Sequence, residues 1–285
     1  MKFHSSSTIH VDHIHLYIKD LNKVTKFYRE VLGFSLLDQT VNKAVLTADG
    51  KNPIITLEVP SSLEGRNPRS TGLYHLAILL PHRNDLAAFV LHLIQKKVPF
   101  GSSDHLVSEA IYFSDPEQNG IEVYIDRDPH AWSWQQGQVQ MAVDPIDFHN
   151  LLKDVEKLPL WEGAPKDTVL GHIHLHVKDL KETVKFYTDG LGFQIVSALG
   201  NQAVFLSDGG YHHHIGMNTW QGVGAPAKKP LSAGLHTYRI QYPDEEKRQQ
   251  AIHRLDQMGY SIMKVEADYM SADPSQNHFV LSVAK

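Results

Sequence analysis

A carboxylate inside an apolar run is the first residue of this chain whose type and position could do chemistry. Glu122 stands in the segment Gly120–Tyr124, directly after a turn-forming stretch that contains Pro116 and Asn119. Strand alternation sets Glu122 on the face opposite its apolar neighbours. A carboxylate in an apolar interior costs free energy unless it is paired or bound to a metal. Glu122 is therefore either a solvated residue of an edge strand or a metal ligand.

Histidines are the residues that could join Glu122 at an ion. The chain contains 19 histidines and no cysteine, which excludes thiolate catalysis and cysteine-based metal sites. Four histidines stand at or near the start of comparable predicted strands: His13, His75, His172 and His236. Two histidines and one carboxylate on one face would leave open positions on the ion, as in the non-haem Fe(II) enzymes that bind both substrate and O2. An isolated strand histidine is more often structural, and it is the repetition that favours a ligand role.

An internal repeat explains why the histidines recur. Residues 172–193 match residues 13–34 at 13 of 22 positions, which identifies a duplication with halves of about 1–130 and 165–285. Within each half, the hydrophobic periodicity predicts two units with the order strand, helix, strand, strand, strand. The first strands of the four modules are predicted at 13–18, 74–80, 173–177 and 236–241, and the helices at 21–32, 85–97, 181–190 and 244–258.

The charge and the apolar content of the chain exclude some classes of function. The net charge of −5 and a pI near 6.4, without any basic block, argue against nucleic-acid binding. There is neither an apolar signal core at the N-terminus nor a run of about 18 apolar residues, so we predict no membrane span and expect a cytoplasmic protein. The sequence leaves open whether the chain forms a homo-oligomer, through an edge strand or the segment with Trp132 and Trp134.

Two motifs resemble those of the vicinal-oxygen-chelate superfamily. One is H-x-x-L-x-[VI]-x-D-L with F-Y and L-G-F after it, in residues 13–34; the other is D-P-x-x-N-G-I-E-V at 115–123. That superfamily includes glyoxalase I, bleomycin and fosfomycin resistance proteins and the type I extradiol dioxygenases. A chain of four modules resembles most the bacterial catechol-2,3-dioxygenase-like group. The resemblance implies an α+β fold in which four βαβββ modules form two domains with curled mixed sheets around a metal cavity.

The domain limits follow from the repeat. The first predicted domain covers residues 1–126 and contains modules one and two. The second covers residues 169–285 and contains modules three and four. Residues 127–168 are a predicted connector with a short helix within 147–157.

One departure from the family decides where an ion could be held. Two-domain extradiol enzymes hold iron in the C-terminal domain. In this chain, alignment of Asp115 with Asp273 puts Val280 opposite Glu122, so modules three and four lack the carboxylate. Two ligand sets remain, both with His75 and Glu122. Pairing module two with module three adds His172, whereas pairing it with module one adds His13.

The catalytic residues that the family implies favour the pairing with module three. Extradiol cleavage uses a tyrosine about ten residues before the glutamate, which Tyr112 provides. It also uses an acid–base histidine on the fourth strand of the module that supplies the other ligand, and module one has none there. Module three offers histidines at 212–214, of which alternation places His212 and His214 on one face. We therefore predict His214 or His212 as the acid–base residue, and which of the three faces the site stays open. His105 is a further candidate for the mouth of the site, and the alternative is a loop histidine at the surface.

The expected reaction is extradiol ring cleavage of a catechol-like aromatic diol by O2. The resemblance implies Fe(II) at His75, Glu122 and His172, with Mn(II) or another divalent ion as the alternative. Two other functions stay open. A glyoxalase-like isomerase or lyase would add Glu58 to His13, His75 and Glu122, and a drug-binding resistance protein would need no metal.

Overall fold

The first module shows how the local sequence builds the repeating unit in a computed structural model, which describes residues 3–153 and 160–284. Strand β1 (His10–Tyr17) leads into helix α1 (Leu21–Glu30). The helix begins where the Asp20 side chain accepts a hydrogen bond from the backbone N–H of Lys23. Three short strands follow: β2 (Ser35–Gln39), β3 (Lys43–Thr47) and β4 (Ile55–Glu58).

The remaining modules repeat this order, as predicted. Module two contains β5 (Gly72–Leu79), α2 (Arg83–Lys96), β6 (Gly101–Asp104), β7 (Ser108–Ser114) and β8 (Gly120–Asp126). The connector contains a 3-10 turn (Pro129–Ala131), β9 (Trp134–Gln135), β10 (Gln138–Val139) and α3 (Phe148–Leu151). Module three contains β11 (Val169–His176), α4 (Leu180–Lys185) with a π-helical continuation (Phe186–Gly190), β12 (Gln194–Leu199), β13 (Ala203–Ser207) and β14 (Ile215–Asn218). Module four contains β15 (Gly234–Tyr242), α5 (Glu245–Gln257), β16 (Met263–Val265), β17 (Asp268–Ala272) and β18 (His278–Val283).

Two eight-stranded mixed sheets combine the modules across the duplication. One sheet has the order β16-β17-β18-β15-β1-β4-β3-β2 and joins modules one and four. The other has the order β12-β13-β14-β11-β5-β8-β7-β6 and joins modules two and three. The α+β fold with curled mixed sheets is thus confirmed. The predicted domain limits follow the sequence repeat, whereas each sheet takes one module from each half of the chain.

The register at the centre of the second sheet brings three strands together. Strand β11 runs antiparallel to β5, with His172 opposite Ala77 and His174 opposite His75. Strand β8 lies parallel on the other side of β5, with Glu122 opposite Ala77. A β-bulge between Leu170 and His172 shifts the register before the first of these pairs. Side chains from β11, β5 and β8 therefore share one face of the sheet.

Local differences from the predicted elements have simple causes. Lys97 ends α2 in the left-handed conformation, and the next strand begins at Gly101 rather than near Val98. The connector helix ends at Leu151, and residues 154–157 of the predicted segment lie outside the described residues. Strand β14 begins only at Ile215, so the alternation assumed for residues 212–214 does not apply to them.

A continuous hydrophobic core supports both sheets. It contains fully buried side chains from helices and strands of all four modules, among them Tyr28, Phe89, Phe186 and Phe279. Burying such a side chain contributes about 1.5–3 kcal/mol, so this core stabilises both sheets. None of the helices in the described part of the chain combines the length and the apolar character that crossing a membrane requires.

Candidate metal centre

Three buried side chains converge on the face shared by β5, β8 and β11. His75 Nε2 lies 3.0 Å and His172 Nε2 lies 3.2 Å from the same carboxylate oxygen, Glu122 Oε2. One ligand atom from each residue lies within 4.8 Å of the others, and in the described ranges this is the one group of at least three His, Cys, Asp or Glu side chains with that spacing. The set is the one expected from the pairing of modules two and three.

The charges of this group suit a cation. Burial acts to raise the pKa of the Glu122 carboxyl, but the imidazoles of His172 and His75 outweigh it and hold the pKa well below its usual range. Burial lowers the pKa of His172 to about 4, although Glu122 opposes the shift. Near neutral pH the site therefore presents an ionised carboxylate and a neutral His172 imidazole, the protonation state that a metal ligand requires.

Unpartnered nitrogen atoms supply the test of whether a metal fits. His75 Nε2 is buried and forms no hydrogen bond with adequate geometry to any described residue, despite its short contact with Glu122. A buried polar atom without a partner costs free energy, and a metal ion would use this lone pair. Imidazole and carboxylate ligands suit Fe, Mn, Ni and Zn, so the residues fit a divalent ion.

Aromatic side chains and a further histidine form the wall beside the triad. The His174 ring centroid lies 5.1 Å from that of His75, and its Nε2 accepts a hydrogen bond from Asn218 Nδ2 at 2.9 Å. Tyr74 and Trp220 lie against His174, with ring centroids 5.1 and 5.4 Å away. This wall offers flat ring surfaces directly beside His75, Glu122 and His172.

Tyr112 also reaches the site. It lies directly opposite Glu122 in the antiparallel pair β7–β8. Its hydroxyl lies 2.7 Å from His105 Nε2, while His105 Nδ1 lies 2.6 Å from the carbonyl oxygen of Ala142. Burial and the Glu122 carboxylate raise the pKa of Tyr112 well above its usual value, so the phenol keeps its proton. His105 thus contacts Tyr112 and does not stand free at the surface.

The three adjacent histidines of module three have different neighbours. The His213 ring packs on that of His172, with centroids 4.0 Å apart. His212 lies between His213 and Asp126. The His214 Nε2 atom lies 3.0 Å from the carbonyl oxygen of Phe3 in the N-terminal segment. The structure therefore brings His213, rather than the predicted His214 or His212, against the triad.

The residues of the alternative pairing lie in the other sheet. His13 Nε2 lies 2.9 Å from Thr56 Oγ1, and His15 Nε2 lies 3.0 Å from Glu58 Oε2. His236 packs on Tyr17, with ring centroids 4.1 Å apart. Neither His13 nor Glu58 approaches Glu122 as the glyoxalase-like arrangement would require.

The register of the two sheets shows that His236 is not the structural equivalent of His75, contrary to what the sequence pattern suggests. His174 pairs with His75 in one sheet, and its repeat equivalent His15 pairs with Thr237 in the other. His236 is therefore the counterpart of Tyr74, one position from the place of His75. His236 lies at the β-bulge between the paired residues Thr237 and Leu235, so the sequence similarity of the four strand starts overstated their equivalence.

His174 is a residue of this site that the sequence analysis does not single out. The signal for it is the alternation of His172, His174 and His176 along one strand, which places them on one face. His213 is one of the three histidines that the sequence leaves open. Alternation favours His212 and His214 only if residues 212–214 are strand, and the strand begins at Ile215.

Comparisons with known proteins agree with this fold. The family model described as Glyoxalase/Bleomycin resistance protein/Dioxygenase superfamily matches residues 10–123 and 169–273. A catechol-2,3-dioxygenase of Bacillus subtilis (strain 168) is 42% identical over 280 residues, which cover 96% of this chain and 97% of that protein. Biphenyl-2,3-diol 1,2-dioxygenase 3 of Rhodococcus globerulus is 31% identical over 117 residues, covering 40% of this chain and 62% of that protein. The crystal structure of glyoxalase I from Zea mays has the same fold, with a TM-score of 0.57 and 15% identity over 96% of this chain and 92% of that one. The chain belongs to the Glyoxalase/Bleomycin resistance protein/Dioxygenase superfamily.

Proposed function

We propose that this protein is an Fe(II)-dependent extradiol dioxygenase that opens the ring of a catechol-like aromatic diol beside its two hydroxyl groups. The observation that carries the proposal is the buried set His75, Glu122 and His172 on one face of a sheet. The 42% identity with a catechol-2,3-dioxygenase over almost the whole chain supports the reaction class.

The three protein ligands suit an ion that must also bind substrate and O2. Two imidazoles and one carboxylate on one side leave positions for other ligands. When bound, Fe(II) would coordinate both diol oxygens and relay electrons from the diol to O2, the diol being the reductant. His75, Glu122 and His172 would hold that ion.

His213 is the residue we propose to take the diol proton. Burial, and then repulsion from His172, lowers the pKa of His213 well below its usual value, so its ring is neutral and can accept a proton. Tyr112 keeps its own proton and would donate a hydrogen bond to an oxygen on which negative charge develops. A base and a hydrogen-bond donor thus stand beside the triad.

The wall formed by His174, Tyr74 and Trp220 would bind the aromatic ring. Flat side chains favour offset or edge contacts with a second ring, and they exclude water from the reacting atoms. The triad, the base, the donor and this wall together account for binding, deprotonation and orientation of a diol.

Metal content and oxygen uptake test the proposal, with two variants from equivalent repeat positions. His172→Ala removes a ligand, so we expect iron per chain to fall close to zero and catechol-dependent O2 uptake to stop. His13→Ala is the matched control, because His13 lies in the other sheet beside Thr56. It should keep both the iron and the yellow ring-fission product. Iron-free protein after anaerobic purification, or product formed without O2 uptake, would contradict the proposal.

A further inference from the structure

Three side chains form a hydrogen-bonded chain that leads into the site from behind His213. His213 Nδ1 lies 2.8 Å from His212 Nδ1, and His212 Nε2 lies 2.8 Å from Asp126 Oδ1. The His212 side chain is fully buried, whereas that of Asp126 is 19% exposed. Asp126 lines a cleft of about 720 Å³ that also contains His10, Asp12 and Arg239. The three groups therefore connect the site to this cleft.

Asp126 sets the direction of the hydrogen bonds. An ionised carboxylate only accepts, so His212 must donate its Nε2–H to Asp126. In a neutral His212 the Nδ1 atom is then the acceptor, and His213 must donate its own Nδ1–H. The proton of a neutral His213 is thereby placed on Nδ1, and Nε2 keeps the free lone pair that a base needs.

Neighbouring aromatic residues hold this arrangement in place. Tyr211 donates from its hydroxyl to the same Asp126 oxygen at 3.2 Å, and its oxygen lies 2.7 Å from the Tyr124 hydroxyl. The His212 ring packs on Tyr211 and Trp132, with centroids 4.1 and 5.3 Å apart. Neither His212 nor Asp126 belongs to the triad, and their position beneath His213 is built by contacts of their own.

We infer that Asp126 and His212 are positioning residues that fix the tautomer of His213, so that its Nε2 atom is the base. The catalytic meaning of this inference rests on the proposed dioxygenase function. The tautomer itself is a property of the chain and can be measured without turnover. A doubly protonated His212 would reverse the direction and leave the proton on Nε2 of His213, so the two arrangements differ in an observable atom.

Kinetics of two His212 variants separate hydrogen bonding from packing. In His212→Asn the side-chain oxygen can occupy the place of Nδ1 and accept from His213, whereas His212→Leu fills the space without an acceptor. We expect His212→Asn to keep most of kcat, and His212→Leu and Asp126→Asn to lose about tenfold or more in kcat with little change in KM. Equal kcat values for the Asn and Leu variants would overturn the inference.

Nitrogen NMR of the histidine rings reads the tautomer directly. The unsubstituted chain, labelled with 15N-histidine and given Zn(II) to keep it diamagnetic, should show His213 with its proton on Nδ1. The His213→Gln variant assigns the signal. His212→Leu should shift this signal toward a mixture of tautomers. A proton on Nε2 in the unsubstituted chain, or no change in His212→Leu, would overturn the inference. If the His213 signal behaves as expected but the protein cleaves no catechol, the inferred tautomer is upheld and the proposed function is rejected.

Discussion

Three consecutive histidines in this chain have three different surroundings. His212 contacts the Asp126 carboxylate, His213 packs on His172, and His214 lies between Ser207 and the carbonyl oxygen of Phe3. All three are buried, so neither residue type nor exposure distinguishes them. What distinguishes them is the partner of each ring nitrogen, because that partner decides whether a lone pair is free for proton transfer.

Replacing His213 and His214 one at a time should show which of the two acts as the base. His213→Gln removes the imidazole beside His172, so we expect kcat to fall by about 10²–10⁴-fold while iron content is kept. His214→Gln keeps a donor for the Phe3 carbonyl and should leave kcat close to that of the unsubstituted chain. Steady-state kinetics with catechol and iron analysis check both. A larger loss in His214→Gln than in His213→Gln would restore His214 as the base.

At the scale of elements, the turn before the last strand of a module is built alike in both halves. Asp115 Oδ1 accepts from the backbone N–H groups of residues 117 and 119, and its Oδ2 accepts from the Asn119 amide. Asp273 makes the same bonds to residues 275 and 277. The turn persists in the C-terminal half, where the glutamate seven residues after the aspartate is replaced by Val280. The D-P-x-x-N motif therefore specifies local structure, and the metal chemistry depends on the strand residue that follows it.

The buried turn of the C-terminal half should make stability depend on pH. Burial raises the pKa of Asp273 to about 6 in the folded protein, from an ordinary value of 3.8. The folded state therefore binds this proton more tightly, and the contribution of Asp273 to stability falls as pH rises from about 4 to about 6. Asp273→Asn cannot titrate. Its free energy of unfolding relative to the unsubstituted chain should thus rise by about 3 kcal/mol across that window.

Urea unfolding at pH 4 and pH 7 measures this difference for both proteins. Other carboxylates titrate equally in the two chains, so their effects cancel in the comparison. A relative stability that stays level or falls with pH would show that Asp273 is ionised throughout, with its charge satisfied by the backbone donors of the turn.

Elements and module pairing could be predicted, whereas register and side-chain direction could not. The repeat and the loss of the carboxylate at Val280 left two pairings for module two, and the histidines at 212–214 favoured module three, because module one has no histidine on its fourth strand. The equivalence of His236 with His75 failed by one position, since bulges beside these strands shift the register without changing the hydrophobic pattern. The side of His213 depended on where β14 begins, which three polar residues in succession do not indicate.

The whole molecule carries two similar sheets, and the structure explains why only one has the triad. The sheet of modules one and four keeps His13 in the place of His172. Thr237 stands where His75 would be, and Val280 where Glu122 would be. Arg239 occupies the place of Ala77, between the ligand strands, and forms an ion pair with Asp12. The sheet of modules one and four thus lacks two ligands and holds a cation beside the third. The pKa of His13 is lowered, first by burial and then by Arg239, which agrees with this arrangement.

Restoring a second metal centre should therefore require more than the missing carboxylate. Val280→Glu alone puts an anion beside Arg239, and a direct ion pair would satisfy it, so we expect the iron content to stay at one equivalent per chain. Combining Val280→Glu with Thr237→His and Arg239→Ala removes the competing cation and completes a His, His, Glu set with His13. We expect that variant to bind a second divalent ion, measured by metal analysis after dialysis, with circular dichroism to verify folding. If the Val280→Glu variant binds a second metal ion per chain, Arg239 does not obstruct the site. If the folded triple variant binds only one metal ion per chain, the two sheets differ in backbone geometry as well as in side chains.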